Sequence, residues 1–271
     1  MANEYLSGFS LESLVTPTKA AALYTAQEQS LFLSGQLVPI INVGAGSASA
    51  QVPLLGEVDA TEYTDDSATT DLPAQVITDT NNSIAVNPIG SRSVVRNAHG
   101  LDPQELGRVL GNAVAKKFDT VVLTAMATDF TDSTTDSVPM TADSVFDSVE
   151  QIRSAGEMGQ LYGILSTSEA TALMKAIYGD GNLAGGDFQT EALRNGYVGT
   201  FAGVQMFQSA LVPSGHSGFI FGKDAARLAI GQTLRIDAEP RLAAMGYDLV
   251  AHMAGGAGVV DATRGIQLVN V

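Results

Sequence analysis

From Asn42 to Gly100 the chain runs through Gly, Ser, Thr, Asp and short Val/Ile segments with no helix signal, and then a long, capped helix begins. No lysine occurs between Lys19 and Lys116. A compact enzyme rarely places so long an extended excursion ahead of its central helix, whereas a protein that works by touching neighbours often does. Within the excursion, 51–56, 75–78, 84–87 and 91–95 read as strands, and Asp79-Thr80-Asn81-Asn82-Ser83 reads as a turn, a pattern of antiparallel β ribbons. Its acids are Glu57, Asp59, Glu62, Asp65, Asp66, Asp71 and Asp79, with no base before Arg92. Two readings stand: a solvated loop, or an arm that lies on a neighbour. Length favours the second, because unstructured loops beyond about 12–15 residues are uncommon unless functional.

The helix spans 102–126. Asp102 is its N-cap, Pro103 its first residue, and Glu105 completes a capping-box-like start. Leu106, Leu110, Val114, Phe118, Val121 and Ala125 form an apolar stripe, with Glu105, Arg108, Asn112, Lys116 and Asp119 opposite. Gly107, Gly111 and Ala115 make a third stripe of small residues. Each glycine costs a helix about 1 kcal/mol relative to alanine, so the stripe points to a second backbone, a β-hairpin, crossing close by. At about 1.5 Å per residue the helix is on the order of 35 Å long, enough to be the axis of a domain.

Before the excursion, Thr16 caps an Ala-rich helix with Pro17 at its first position, and 36–43 is strand-like. After the long helix, 142–155 reads as a helix and 160–165 as a buried strand. Ser166 and Glu169 cap a further helix over 168–177, and a flexible loop covers 179–186. A pair of strands covers 197–208, and strands follow at 219–225, 233–238, 247–253 and 264–269. No repeat at a solenoid or propeller period is present. The whole is an α+β chain.

Composition narrows the chemistry. With 271 residues and 45% hydrophobic content the chain can bury a sizeable core. Fourteen basic against 29 acidic residues give a net charge of −15, which opposes sequence-specific nucleic-acid binding. Zero cysteines exclude thiolate metal sites and cysteine nucleophiles. The start of the chain lacks the basic and apolar regions of a signal peptide, and no apolar run approaches the ~20 residues of a membrane span, so a soluble cytoplasmic product is expected. His99, His216 and His252 have no shared helical face, which argues against zinc. Asp129, Asp132 and Asp136 lack the alternation and central glycine of a calcium loop. Gly215-His216-Ser217-Gly218 fails the nucleophile-elbow spacing. Gly44-Ala45-Gly46-Ser47 and Gly255-Gly256-Ala257-Gly258 lack the phosphate-loop lysine and the dinucleotide spacing. No catalytic, cofactor-binding or metal residue is nominated, and the chain is read as a non-enzyme without cofactors.

This order of parts resembles the major capsid proteins of tailed bacteriophages with the HK97-type fold. Leu161-Tyr162-Gly163-Ile164-Leu165-Ser166 is similar to the family's strand-then-helix entry to the A domain. Gly199-Thr200-Phe201-Ala202-Gly203-Val204-Gln205-Met206, followed by Ser209-Ala210-Leu211-Val212-Pro213, is similar to its Gly-Val strand and Leu-x-Pro passage. Phe221-Gly222-Lys223-Asp224-Ala225 and Arg264-Gly265-Ile266-Gln267-Leu268 fit as well. The resemblance implies an N-terminal arm with a helix (1–36), a P-domain strand (37–43), an extended β E-loop (44–98) and a P domain (99–156) with the spine helix 102–126. An A domain (157–231) and C-terminal strands shared by the P and A domains (232–271) complete it.

It further implies a coat protein that self-assembles as hexamers and pentamers into an icosahedral shell around phage double-stranded DNA. Such a protein belongs to the virion and is assembled in the host cytoplasm. Its partners are itself, a scaffold, a portal, and cement or decoration proteins, with no sequence-specific nucleic-acid binding and no membrane. The prototype phage seals its shell by a covalent bond from an E-loop lysine. With no lysine in 44–98, this chain needs non-covalent contacts or a cementing protein instead. The alternative within self-assembling shells is an encapsulin-type nanocompartment that encloses an enzyme cargo. An α+β enzyme with an unrecognised site and a surface adhesin or tail component are the readings from other classes.

Overall fold

The computed structural model describes residues 11–44, 46–56, 77–96, 102–132, 140–179, 197–241 and 246–269. In chain order the elements are α1 (Leu11–Gln29), β1 (Ile40–Asn42), β2 (Ser49–Leu55), β3 (Asp79–Ala85), β4 (Asn87–Arg96), α2 (Pro103–Asp129) and β5 (Thr131–Asp132). They continue with α3 (Ala142–Ser154), β6 (Leu161–Ser166), α4 (Thr167–Gly179), β7 (Tyr197–Phe201), β8 (Val204–Ser209) and β9 (His216–Gly222). The chain closes with β10 (Ala226–Arg241), β11 (Gly246–Val259) and β12 (Gly265–Val269). Three sheets result: four strands in the order β1-β10-β11-β4, six in the order β5-β12-β9-β6-β8-β7, and the two-stranded ribbon β2-β3.

α2 is the element around which the others pack. Asp102 accepts a hydrogen bond from the Gln104 N–H at 2.9 Å, and Pro103 opens the helix. Glu105 does not reach back to complete a capping box; it pairs with Arg108 on the surface. The helix runs three residues past the expected Met126, to Asp129, where the Phe130 N–H bonds the Met126 carbonyl. Leu110, Val114 and Phe118 of the expected stripe are buried, joined by Val122, Leu123 and Met126, while Leu106 and Val121 lie at its edge. This row packs on the inward face of the four-stranded sheet, against Ile89, Val95, Ile236, Leu249, Ala251 and Met253.

The partner of the small-residue stripe is α1, not a β-hairpin. A Cβ on Gly107 would strike the Thr18 carbonyl, and one on Gly111 the Ala22 carbonyl. Further along, Asp119 bonds Ser30. The contacts advance together along both sequences, so α1 and α2 run parallel and in register. Asp119, expected among the polar residues opposite the core, continues the same stripe at i+4 steps from Gly107, Gly111 and Ala115. It is only 3% exposed. The first helix also begins earlier than its sequence signal. It starts at Leu11 and passes through Pro17, forgoing the backbone hydrogen bond the ring nitrogen cannot donate, so Thr16 is not its cap.

The excursion folds differently from its local signals at two points. The polar run read as a turn, Asp79 to Ser83, is most of strand β3, paired antiparallel with β2 in the register Leu55↔Asp79, Val52↔Asn82 and Ala50↔Ile84. A ribbon with one solvated face needs no apolar side chains there, so pairing overrides turn propensity. The 91–95 run belongs to β4, which leaves the ribbon and pairs with β11 along its length. From 36–43 only three residues form a strand, with Leu37 and Val38 buried beside it. The expected 179–186 loop lies outside the described residues except for its first residue, which ends α4.

α3 and α4 cover one face of the six-stranded sheet, where Val145, Ile152, Leu161, Leu165, Leu173, Val204 and Ile220 form a second core. Ile164, Phe219 and Phe221 face the other way and join the core around α2. Of the pair expected to cap α4, Ser166 accepts from the Glu169 N–H at 3.4 Å, but the Glu169 carboxylate instead accepts from the Met140 N–H at 2.7 Å. Replacing Gly111 with Leu is expected to push α1 off α2 and lower stability by about 2 kcal/mol. Urea titration with hydrogen exchange checks it, and unchanged protection in α1 would refute the close packing.

Candidate functional site

The ribbon β2-β3 packs on the four-stranded sheet, and its construction is legible residue by residue. On β2, Ala50 and Val52 are buried and Leu54 half-buried, while Ser49, Gln51, Pro53 and Leu55 are exposed. On β3, Ile84 is buried and Asp79, Thr80, Asn81, Ser83 and Ala85 are exposed. The buried row, with Val86, packs on Ala229 and Val260. Asn82 donates from Nδ2 to the Val260 carbonyl at 2.8 Å, and the Val86 N–H bonds the Ala48 carbonyl at 2.9 Å.

The seat beneath the ribbon is the glycine run of β11. A Cβ on Gly256 would collide with the Ala85 carbonyl, and one on Gly258 would lie 2.9 Å from Ile84. A Cβ on the preceding Gly255 would instead meet the Phe118 ring of α2 at 2.9 Å. Successive residues of a strand point to opposite faces, so β11 lies between α2 on one side and the ribbon on the other. The helix pair α1 and α2 therefore lies on one side of the four-stranded sheet, where α1 also meets β10, and the ribbon lies on the other. The run Gly255-Gly256-Ala257-Gly258, which lacks the spacing of a phosphate loop, is a packing surface. Its signal in the sequence was glycine recurring inside a strand pattern, which marks close approach of another backbone.

Towards its far end the ribbon leaves the sheet. The Gly56 N–H bonds the Thr78 carbonyl at 2.8 Å, and Leu55 and Ile77 stand out at 65% and 56% exposure. By the pairing register Leu55 is on the outward face, opposite Asp79. The intervening 57–76 segment, outside the described residues, carries six acids and no base. Below this end is an open cleft of about 290 Å³, lined by Leu54, Leu55, Gly56 and Thr80 on the ribbon side and by Ala155, Asp261, Thr263 and Arg264 on the other. Its charged groups are already engaged. Arg264 donates to Asp261 at 2.9 Å and to Glu157 at 3.3 Å, and Thr263 donates to Asp261 at 2.6 Å.

Past the ribbon, the same outward sheet face carries paired charges. Arg92 clasps Asp248 with two donors, which pushes the guanidinium pKa up, and Arg235 pairs with Asp237 at 3.0 Å. His252 lies 3.8 Å from Asp237. His216 bonds Gln267 at 3.1 Å and stacks on Phe219, and His99 lies outside the described residues; among the described residues no two histidines share a site. Among the described residues no three metal-ligating side chains gather, and no helix is long and apolar enough to cross a membrane. Asp136 is outside them. Exposed apolar side chains occur on several sides instead: Tyr24 on α1, Val109 on α2, Phe146 on α3, and Met158 in the turn before β6.

No protein-family model and no curated protein sequence matches this chain. Solved structures do. The capsid of cyanophage P-SCSP1u aligns at a TM-score of 0.66 and 18% identity, over 87% of this chain and 86% of that one. A chain of Mycobacterium phage Adephagia aligns at 0.64 and 16%, over 89% and 90%. The chain has the HK97-type capsid fold. A virus-like particle from Pyrococcus furiosus aligns at 0.66 and 11% identity, over 94% of this chain and 98% of that one. The HK97-type fold thus spans nearly all of the sequence, ribbon, long helix and six-stranded sheet together. Gly256→Val is expected to unseat the ribbon at a cost of about 1–3 kcal/mol. Hydrogen exchange should show β2 and β3 deprotected while α2 keeps its protection; uniform loss across the chain would contradict a local seat.

Proposed function

We propose that this chain is the major capsid protein of a tailed bacteriophage, self-assembling as hexamers and pentamers into an icosahedral shell that encloses double-stranded DNA. The observation that carries this reading is the HK97-type capsid fold over nearly the whole length, with two phage chains each aligned over more than four-fifths of both partners. In these terms the ribbon and the 57–76 segment are the E-loop, α2 is the spine helix of the P domain, and α1 belongs to the N-terminal arm. Strands β6 to β9 with α4 belong to the A domain (157–231), while α3 belongs to the P domain (99–156). The role is structural, its first partner is a second copy of itself, and its place is the virion, after assembly in the host cytoplasm. Scaffold, portal and cement or decoration proteins are the further partners. Apolar side chains exposed on several separate elements, and an outward sheet face with its charges paired, suit lateral contacts on many sides better than one deep pocket.

A second reading is an encapsulin-type nanocompartment shell around an enzyme cargo. The match to the Pyrococcus furiosus virus-like particle over 94% of this chain favours keeping it. Expression alone and with neighbouring genes, followed by negative-stain electron microscopy and light scattering, tests both. Closed shells, or rings of five and six, are expected, and nuclease-resistant DNA or a co-purifying enzyme separates the two readings. A monodisperse monomer or dimer in every preparation would overturn them. Replacing 57–76 by a short Asn-Gly turn is expected to leave a folded subunit that no longer closes into shells; normal shells would remove the E-loop from the interface.

A further inference from the structure

Asp119 is a carboxylate in an unusual place. It lies midway along α2, 3% exposed, at the end of the stripe against which α1 packs. Ser30, just past the end of α1, donates from Oγ to Asp119 Oδ1 at 2.5 Å, and the Leu31 N–H donates to Oδ2 at 3.1 Å. Ser30 Oγ in turn accepts from the Phe32 N–H at 3.2 Å and the Leu33 N–H at 3.0 Å. One side chain of α2 therefore organises the donors of the whole turn through which the chain leaves α1.

Among the described residues no cation pairs with it. The buried charged residues among those described are Asp119, Glu157 and Glu169, and the two glutamates are engaged elsewhere, with Arg264 and the Met140 N–H. The turn 30–38 contains no ionisable side chain. On α1, Lys19, Tyr24 and Glu28 are exposed, as are Lys116 and Lys117 on α2. Across the core, Arg92, Arg235, Asp237, Asp248 and His252 occupy the far face of the four-stranded sheet.

We propose that Asp119 and Ser30 form a proton-operated latch that sets how firmly α1 is held against α2. While α1 is docked, the carboxylate is out of water and its charged form is disfavoured. When α1 lifts away, the carboxylate is hydrated and ionises freely. Burial accordingly raises the Asp119 pKa from 3.8 to about 6, against the opposing hydrogen bonds from Ser30 and the 31–32 backbone. The sign follows. The folded value is the raised one, so the docked state binds the extra proton, and the stabilisation it brings is complete below about pH 4 and lost as pH rises through about 6. Acid tightens the arm helix and neutral pH loosens it. The latch stands whether or not the chain builds shells.

Hydrogen exchange of α1 amides in the purified chain, corrected for intrinsic rates, is the test. Between pH 5 and pH 7.5 the opening constant of α1 is expected to rise roughly tenfold. In Asp119→Asn, which keeps the shape and removes the charge, the two values should coincide. Equal opening at both pH values in the wild type, or a tenfold change surviving in the variant, would overturn the proposal. Carboxyl ¹³C NMR gives a second reading: Asp119 should titrate near pH 6, and Ser30→Ala should move that midpoint upward because a hydrogen bond to the charged form is lost. A midpoint near 4, or one moved downward by Ser30→Ala, counts against the latch.

Discussion

Glycines at 107, 111 and 256 let successive layers of backbone lie directly on one another, and the arrangement of the protein depends on that closeness. At the first two, α1 rests its Thr18 and Ala22 carbonyls against α2; at the third, the Ala85 carbonyl of the ribbon rests on β11. A single methyl at any of these points occupies space already held by an oxygen. The helical glycines cost α2 about 1 kcal/mol each in propensity, a loss offset by the buried contacts that close approach allows. Because Gly255 and Gly256 point to opposite faces, one strand receives the Phe118 ring of α2 on one side and the backbone of the ribbon on the other.

The consequence is a molecule with two distinct sides. One presents the parallel pair α1 and α2; the other presents the ribbon and a sheet face of paired charges. The ribbon's root is packed into the sheet while Leu55 and Ile77, at its other described end, are exposed. Fold alone does not assign function, and the shell reading draws on these surfaces as well as on the alignments.

The long helix was legible because its signals agree: an N-cap aspartate, a first-turn proline and an apolar row at helical spacing all name the same segment. The ribbon was legible as extended chain, but the division of labour within it was not. Asp79 to Ser83 has the composition of a turn, and only its partner across the ribbon, from Ser49 to Leu55, makes it a strand. Pro17 looked like a helix start, yet the helix runs through it. Asp119 looked like a surface residue because aspartate on a helix usually is one; the warning was that it sits one step beyond Ala115 on the small-residue stripe.

By itself the sequence determined what depends on short range: where α2 begins, which of its residues face the core, and that glycines at 107 and 111 admit a second backbone. Tertiary structure alone decided what fills those admissions. It selected α1 rather than a hairpin as the helix's partner, turned Gly256 and Gly258 into a seat, and placed a carboxylate beside Ser30, 89 positions away in the chain. Local spacing specifies the shape of a surface, but which surface meets it is set by competition among all the surfaces the folded chain must bury at once.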